Sequence, residues 1–393
     1  MRVKSHMEQT SFTLDRLIEL LEDNSIGVTY ITPRPRGRSL PAPVRREVEE
    51  LLAAIKVIAP FTVELAYGNG CFSVARYKDA VEAYLRRLEQ EPQNQAARFN
   101  LGLSYARLKQ YREAVAQFTL VLEEEPSLAE AHYQRGNVYD DLGEHKLAVS
   151  DYGRAIKLKP DYLQAHYNRG VVLAKMGRHR DAVSEFDRVI TLRPDLSNAY
   201  LNRGASLDEL EQHEEAIADY TTALEYNPEN ADAFFNRART HYALGCVEEA
   251  IADYSEVLKL CPDDAEAFNN RGLAFDTAGE YQRALEDYQA AVALRPDFAE
   301  AFNNRGAAFE ALGDNEKALT EYLKAISMTP DFAASYYNAA RIYSKVGDLD
   351  QCLQYLEKAV ELEPGWRAEA AEDDSLSWVL RVHQLKQDWQ GNS

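Results

Sequence analysis

Residues 197–230 read SNAYLNRGASLDELEQHEEAIADYTTALEYNPEN, and a closely similar line returns every 34 residues along the chain. Within it Tyr200, Ser206, Leu207 and Leu210 recur at three- and four-residue steps, and Ala216, Tyr220, Ala223 and Leu224 repeat the stripe. That periodicity marks two amphipathic helices. Pro228 closes the second, because proline lacks the N–H that another turn needs and pushes its predecessor out of helical angles. Prolines hold the same place at 92, 126, 160, 194, 228, 262, 296, 330 and 364. Numbering this proline 32 gives units that begin at 61, 95, 129, 163, 197, 231, 265, 299 and 333, nine in register. Such a period means a stacked array, since 393 residues exceed what one core usually serves.

Position 15 of the unit is glycine six times (Gly143, Gly177, Gly245, Gly279, Gly313, Gly347), as a left-handed helix end requires. A chain folded there brings together positions whose numbers sum to about 31, so 4 meets 27, 7 meets 24, 8 meets 23 and 11 meets 20. The composition follows that mirror. Position 8 is glycine or alanine in every unit, position 20 is alanine in eight, and large partners stand opposite, as Tyr105 to Ala114 and Phe302 to Ala325.

An aromatic at 4, small residues at 8, 20 and 27, aromatics at 11 and 24 and proline at 32 resemble the tetratricopeptide repeat over residues 61–366. The first unit fits least well, with Glu64 at 4, Cys71 at 11 and Arg87 at 27. The resemblance implies an all-α fold, a right-handed α-α superhelix (solenoid) of about nine 34-residue helix-turn-helix repeats, whose first helices line a concave wall that binds extended peptides or partner helices. Three regions are expected: an N-terminal extension at 1–60, the repeats at 61–366, and a capping helix and tail at 367–393. The extension should hold a helix from Thr13 to Glu22 and another from Val44 to Ala59, bridged by TPRPRGRSLPAP.

Two series stand out inside the units. Position 7 is arginine in units three to eight (Arg135, Arg169, Arg203, Arg237, Arg271, Arg305), and position 23 is acidic in the same six (Asp151, Glu185, Asp219, Asp253, Asp287, Glu321). In the other three units both are absent together, so structural ion pairs between the two helices of a unit are expected. Position 6 carries an amide in eight units: Asn100, Gln134, Asn168, Asn202, Asn236, Asn270, Asn304 and Asn338. An amide both donates and accepts, so it suits a bound backbone of any sequence, although it equally suits a neighbouring helix. The run is similar to the asparagine ladder of the O-linked N-acetylglucosamine transferase family. Tyr133, Tyr167 and Phe235 at position 5, with Asp208, Asp232 and Glu266, complete the candidate groove and suggest a segment with basic and apolar side chains.

The remaining chemistry narrows the function. A formal charge of −20 repels phosphate backbones, so no nucleic acid is expected. No apolar run long enough to span a bilayer occurs, and four scattered cysteines fit a reducing compartment, so no membrane and a cytoplasmic setting are expected. Histidines recur at positions 4 and 17 of separate units, too far apart for one ion, and no nucleophile has an evident base. No catalytic residue, metal or cofactor is expected. Heat-shock-tail binders of this family use lysine at positions 2 and 5, which this chain lacks. The sequence therefore reads as a non-catalytic interaction scaffold or, alternatively, a regulatory or co-chaperone-like subunit that selects clients for an enzyme partner.

Overall fold

The computed structural model describes residues 16–20, 40–58 and 64–382, and among these the regular structure is helical, with no strand. After Ala42–Ile58, helices run in pairs: Glu64–Ser73 with Tyr77–Gln90, Gln95–Arg107 with Tyr111–Glu124, Ala129–Asp141 with His145–Leu158, and Leu163–Lys175 with His179–Leu192. These form a first compact body that ends at Pro194. A second begins at Asp195 and holds Ser197–Asp208 with His213–Tyr226, Ala231–Ala243 with Val247–Leu260, Ala265–Thr277 with Tyr281–Leu294, Ala299–Ala311 with Asn315–Met328, and Ala333–Val346 with Leu349–Leu362. Trp366–Glu372 follows. All nine proline-delimited units are thus helix pairs, and within each body every second helix also packs on the first helix of the next unit.

Left-handed backbone at position 15 turns each pair. The six glycines there have φ between +71° and +83°, and the other three units use Ala75, Lys109 and Glu211 at φ +63°, +60° and +61°. A side chain in that region crowds its own carbonyl and costs about 1–2 kcal/mol. Glu211→Gly is therefore expected to raise stability by about 0.5–1 kcal/mol, less than the full strain because glycine loses more backbone freedom on folding. A urea midpoint that stays or falls would show that Glu211 is not strained.

Close approach of the two helices explains the small residue at position 8. A Cβ built on Gly204 would lie 2.8 Å from Tyr220, one on Gly272 2.8 Å from Tyr288, and one on Gly306 2.7 Å from Tyr322. The ring at 24 thus lies over position 8, and the acid at 23 reaches position 7. The expected mirror is displaced by one in opposite senses at these two places, because facing helices interdigitate as ridges and grooves, not point to point.

Both ends of the array are covered. Leu17, Leu20, Leu40, Val48 and Leu52 are buried in one cluster with Tyr67 and Cys71 of the first unit, and Glu64 lies buried beneath Gln90. At the other end Leu376 and Val379 are buried against Tyr337, Leu356 and Ala359 of the ninth. The remainder of the helix expected from Thr13, most of the TPRPRGRSLPAP bridge and Ala59 lie outside the described residues.

Candidate functional site: the wall of first helices

Six arginines fix each unit before any ligand is considered. Arg203 Nη2 lies 2.6 Å from Asp219 Oδ1 and its Nε 2.7 Å from Oδ2, a two-pronged contact. Arg135 with Asp151, Arg237 with Asp253 and Arg271 with Asp287 repeat that fork at 2.7–2.9 Å. Arg169 with Glu185 and Arg305 with Glu321 pair through one nitrogen. The carboxylates of Asp151, Asp219, Asp253 and Asp287 are almost fully enclosed, and hydrogen-bonded partners are what make such burial tolerable.

Two companions join these pairs, the first from the preceding unit and the second from the same unit. The arginine's Nη1 reaches back to position 25 of the preceding unit: Arg135 to Thr119 at 3.0 Å, Arg237 to Thr221 at 2.9 Å and Arg271 to Ser255 at 3.0 Å. At position 4, His132 and His166 approach the same carboxylates (3.2 Å to Asp151, 2.7 Å to Glu185) and place Nε2 3.1 Å from the carbonyls of Pro126 and Pro160. The sequence signal was a short polar residue at 25 beside an arginine one unit later. Burial would raise the Asp151 pKa, but hydrogen bonds from Arg135 and His132 more than offset it and hold the carboxyl below its ordinary value. Its folded pKa being depressed, its stabilisation is present above about pH 4 and lost as pH falls through the folded value. An Arg135→Met, Asp151→Leu variant is expected to lose part of the acid slope, read from urea midpoints at about pH 7, 4 and 3.

The first helices of successive units touch one another within each body, which makes a continuous wall in each. Much of the expected groove chemistry on that wall is engaged internally. Asn100 is fully buried and donates to Asn69 at 3.0 Å. Asn168 donates to Asn137 at 2.8 Å and to the Tyr133 hydroxyl at 3.1 Å, Asn304 to Asn269 at 3.1 Å, and Asn338 to Asn303 at 3.1 Å. These amides stitch neighbouring first helices together. Gln134 is buried and bonds Glu130, Asn202 donates to the Asn198 carbonyl, Asn270 accepts from Asn269, and Asn236 is half-buried. Asn100 is thus corrected from groove to seam, and Gln134 from groove to a buried amide bonded within its own helix.

The rings behave alike. Tyr133 packs between Tyr152 and Tyr162, Tyr167 meets Phe186 edge-on, and Phe235 meets Tyr254 edge-on, all half-buried. Sequence could not separate these uses, because a first-helix residue next to the partner-facing one looks either across a seam or outward according to a tilt that period alone does not define.

Acids divide more sharply. Asp208 is held by His213 at 3.0 Å, the Tyr220 hydroxyl at 2.8 Å and the Thr240 hydroxyl at 2.6 Å, so it too belongs to a seam. Glu310 takes the Tyr322 hydroxyl, Arg341 and Lys345. Asp232 and Glu300 are exposed, and Glu266 is exposed with Arg295 3.0 Å away. Among the described residues no group of three His, Cys, Asp or Glu side chains is placed to hold a metal ion.

Models described as tetratricopeptide repeat or TPR repeat match residues 72–130 and 201–265, 136–177, 277–313 and 311–347, and 163–196 and 333–365, well over half of the chain together. The chain belongs to the tetratricopeptide repeat family. Proteins of this family are typically non-catalytic, and membership supports a protein-interaction scaffold. Solved structures similar to this tetratricopeptide protein include the MamA protein, 27% identical over 43% of this chain and 92% of that one with a TM-score of 0.40. YrrB, described as a TPR protein with an unusual peptide-binding site, is 24% identical over 47% and 95% with a TM-score of 0.42. A tetratricopeptide repeat protein from Parabacteroides merdae is 17% identical over 66% and 98%, with a TM-score of 0.48. No curated protein matches.

Proposed function

We propose that this tetratricopeptide protein is a non-catalytic scaffold that holds extended or helical segments of protein partners, with basic and apolar side chains, on the first-helix wall of its second body. The carrying observation is the run of exposed acids on consecutive first helices there: Asp232, Glu266 and Glu300, each at position 2 of units six, seven and eight. Equal positions of stacked repeats lie about one helix pair apart, so the three present negative charge at a regular interval along one line. A segment with cationic side chains at matching intervals is steered to such a line. The four cysteines form no disulfide, and no helix of the described residues is long and apolar enough to cross a membrane. The thiols support placing the scaffold in the cytoplasm.

The test is co-purification with the full chain and with Asp232→Lys, Glu266→Lys, Glu300→Lys together. All three sites are exposed, so the fold should persist and basic partners should be lost. An unchanged partner list from a variant that melts like the parent would discard the reading.

A further inference from the structure

Position 12 of the first helix carries an acid in units three, five, seven and eight, and in three of these the next unit or the turn supplies its partners. Asp140 receives Lys175 (3.0 Å, position 13 of unit four) and lies 3.2 Å from His145 Nδ1. Asp208 receives Thr240 from position 10 of unit six and approaches His213. Glu310 receives Arg341 at 2.8 Å and Lys345 at 2.6 Å, from positions 9 and 13 of unit nine. Asp276 is the departure. Positions 9, 10 and 13 of its following unit are Ala307, Ala308 and Ala311, and position 17 of its own is Tyr281 in place of the histidine.

The consequence is visible in the polar atoms. Asp276 Oδ1 is covered yet has no hydrogen-bond partner, and the Tyr288 hydroxyl, on a fully buried side chain, has none either. The equivalent hydroxyls of Tyr84, Tyr152, Tyr220 and Tyr322 each donate at 2.8 Å. Burial raises the Asp276 pKa, and burial followed by the nearby Asp276 carboxylate raises that of Tyr288. Uncompensated groups of this kind cost free energy that a well-placed donor recovers. What fits is shown one unit on: at Glu310 the corresponding space holds a guanidinium and an ammonium.

We propose that the seam between units seven and eight is a binding slot for one guanidinium or ammonium side chain of a bound segment, held by Asp276 and the Tyr288 oxygen over Ala307 and Ala311. This rests on the reading of the wall as a segment-binding face and names a specificity-determining position in it. The slot lies ten residues, about 15 Å, along the first helix of unit seven from Glu266, so a segment running the length of that helix reaches its mouth. A planar guanidinium has donors enough for the carboxylate and the hydroxyl together.

Two arms test it. In the first, the Asp276 carboxyl carbon is followed by NMR in the full chain while methylguanidinium or tetramethylammonium is added at equal ionic strength. Methylguanidinium should shift the signal saturably; tetramethylammonium, which has no donor, should not; and Ala311→Lys, on an exposed site, should abolish the response by filling the slot as Lys345 does in the next unit. Equal responses to both cations, or a response untouched by Ala311→Lys, would overturn the slot. In the second arm a fluorescent peptide alternating arginine and alanine is titrated, and Asp276→Asn should bind about tenfold more weakly while Glu286→Gln, at an exposed acid on the second helix of unit seven, changes affinity less than about twofold. Equal losses from both would reduce Asp276 to general charge and end the proposal. A methylguanidinium response without peptide binding would keep the slot and remove the segment-binding reading.

Discussion

Tyr220→Ala is expected to lower stability by about 3–5 kcal/mol, the largest effect of any single change considered. The ring is fully buried, lies against Gly204 and closes the space between the two helices of unit five. Its hydroxyl also donates to Asp208, which draws in Thr240 from unit six, so truncation opens a cavity and loosens a seam together. Tyr220→Phe separates the two contributions. It keeps the packing and leaves Asp208 with Thr240 and His213, so about 1 kcal/mol is expected. The check is a pair of urea melts followed by circular dichroism. Similar losses in the two variants would place the energy in the hydroxyl and contradict the packing account.

Asp253→Ala is expected to cost about 3 kcal/mol, near the lower end for breaking a buried pair because Arg237 keeps some solvent contact. Arg237 would retain Thr221 of the preceding unit at 2.9 Å but lose both bonds to the carboxylate. The cost comes chiefly from stranding a charge, so Arg237→Met with Asp253→Leu should recover most of it. A double-mutant cycle with Arg237→Ala reads the coupling directly, and an interaction energy above about 1 kcal/mol is expected. Strictly additive losses would mean that the observed fork contributes nothing. Because each repeat leans on its neighbours, the unfolding transition should also broaden around unit six.

The helix pairs were legible from proline, glycine and the apolar stripe, because each reports a local backbone demand that no distant contact alters. The arginine and acid series was legible for a related reason: both members sit in one unit and vanish together from units one, two and nine. The groove was not. Asn168 and Asn304 look identical in sequence to residues of an open face, yet their donors meet Asn137, Tyr133 and Asn269 across a seam. Which way such an amide points depends on the stagger of one unit against the next. That stagger is set by packing between units, and a single unit's sequence does not contain it. The same blindness hid the acceptors at position 25 and gave Asp208 the same reading as Asp232, although the first is enclosed and the second is bathed in solvent.

The arginine lock also bears on how such a chain can grow by copying. Arg237 and Asp253 travel together in any duplicated stretch of 34 residues, so the duplicate arrives with its own fastening intact. Its third bond does not travel, since it needs an oxygen at position 25 of whichever unit comes before. Thr119, Thr221, Ser255 and Gln289 offer one, whereas Gly153 has no side chain to offer and lies under Arg169. Lengthening or shortening is therefore best tolerated behind a unit with a side-chain oxygen at position 25, and the junction after unit three is already the one where a newcomer would have least to grip.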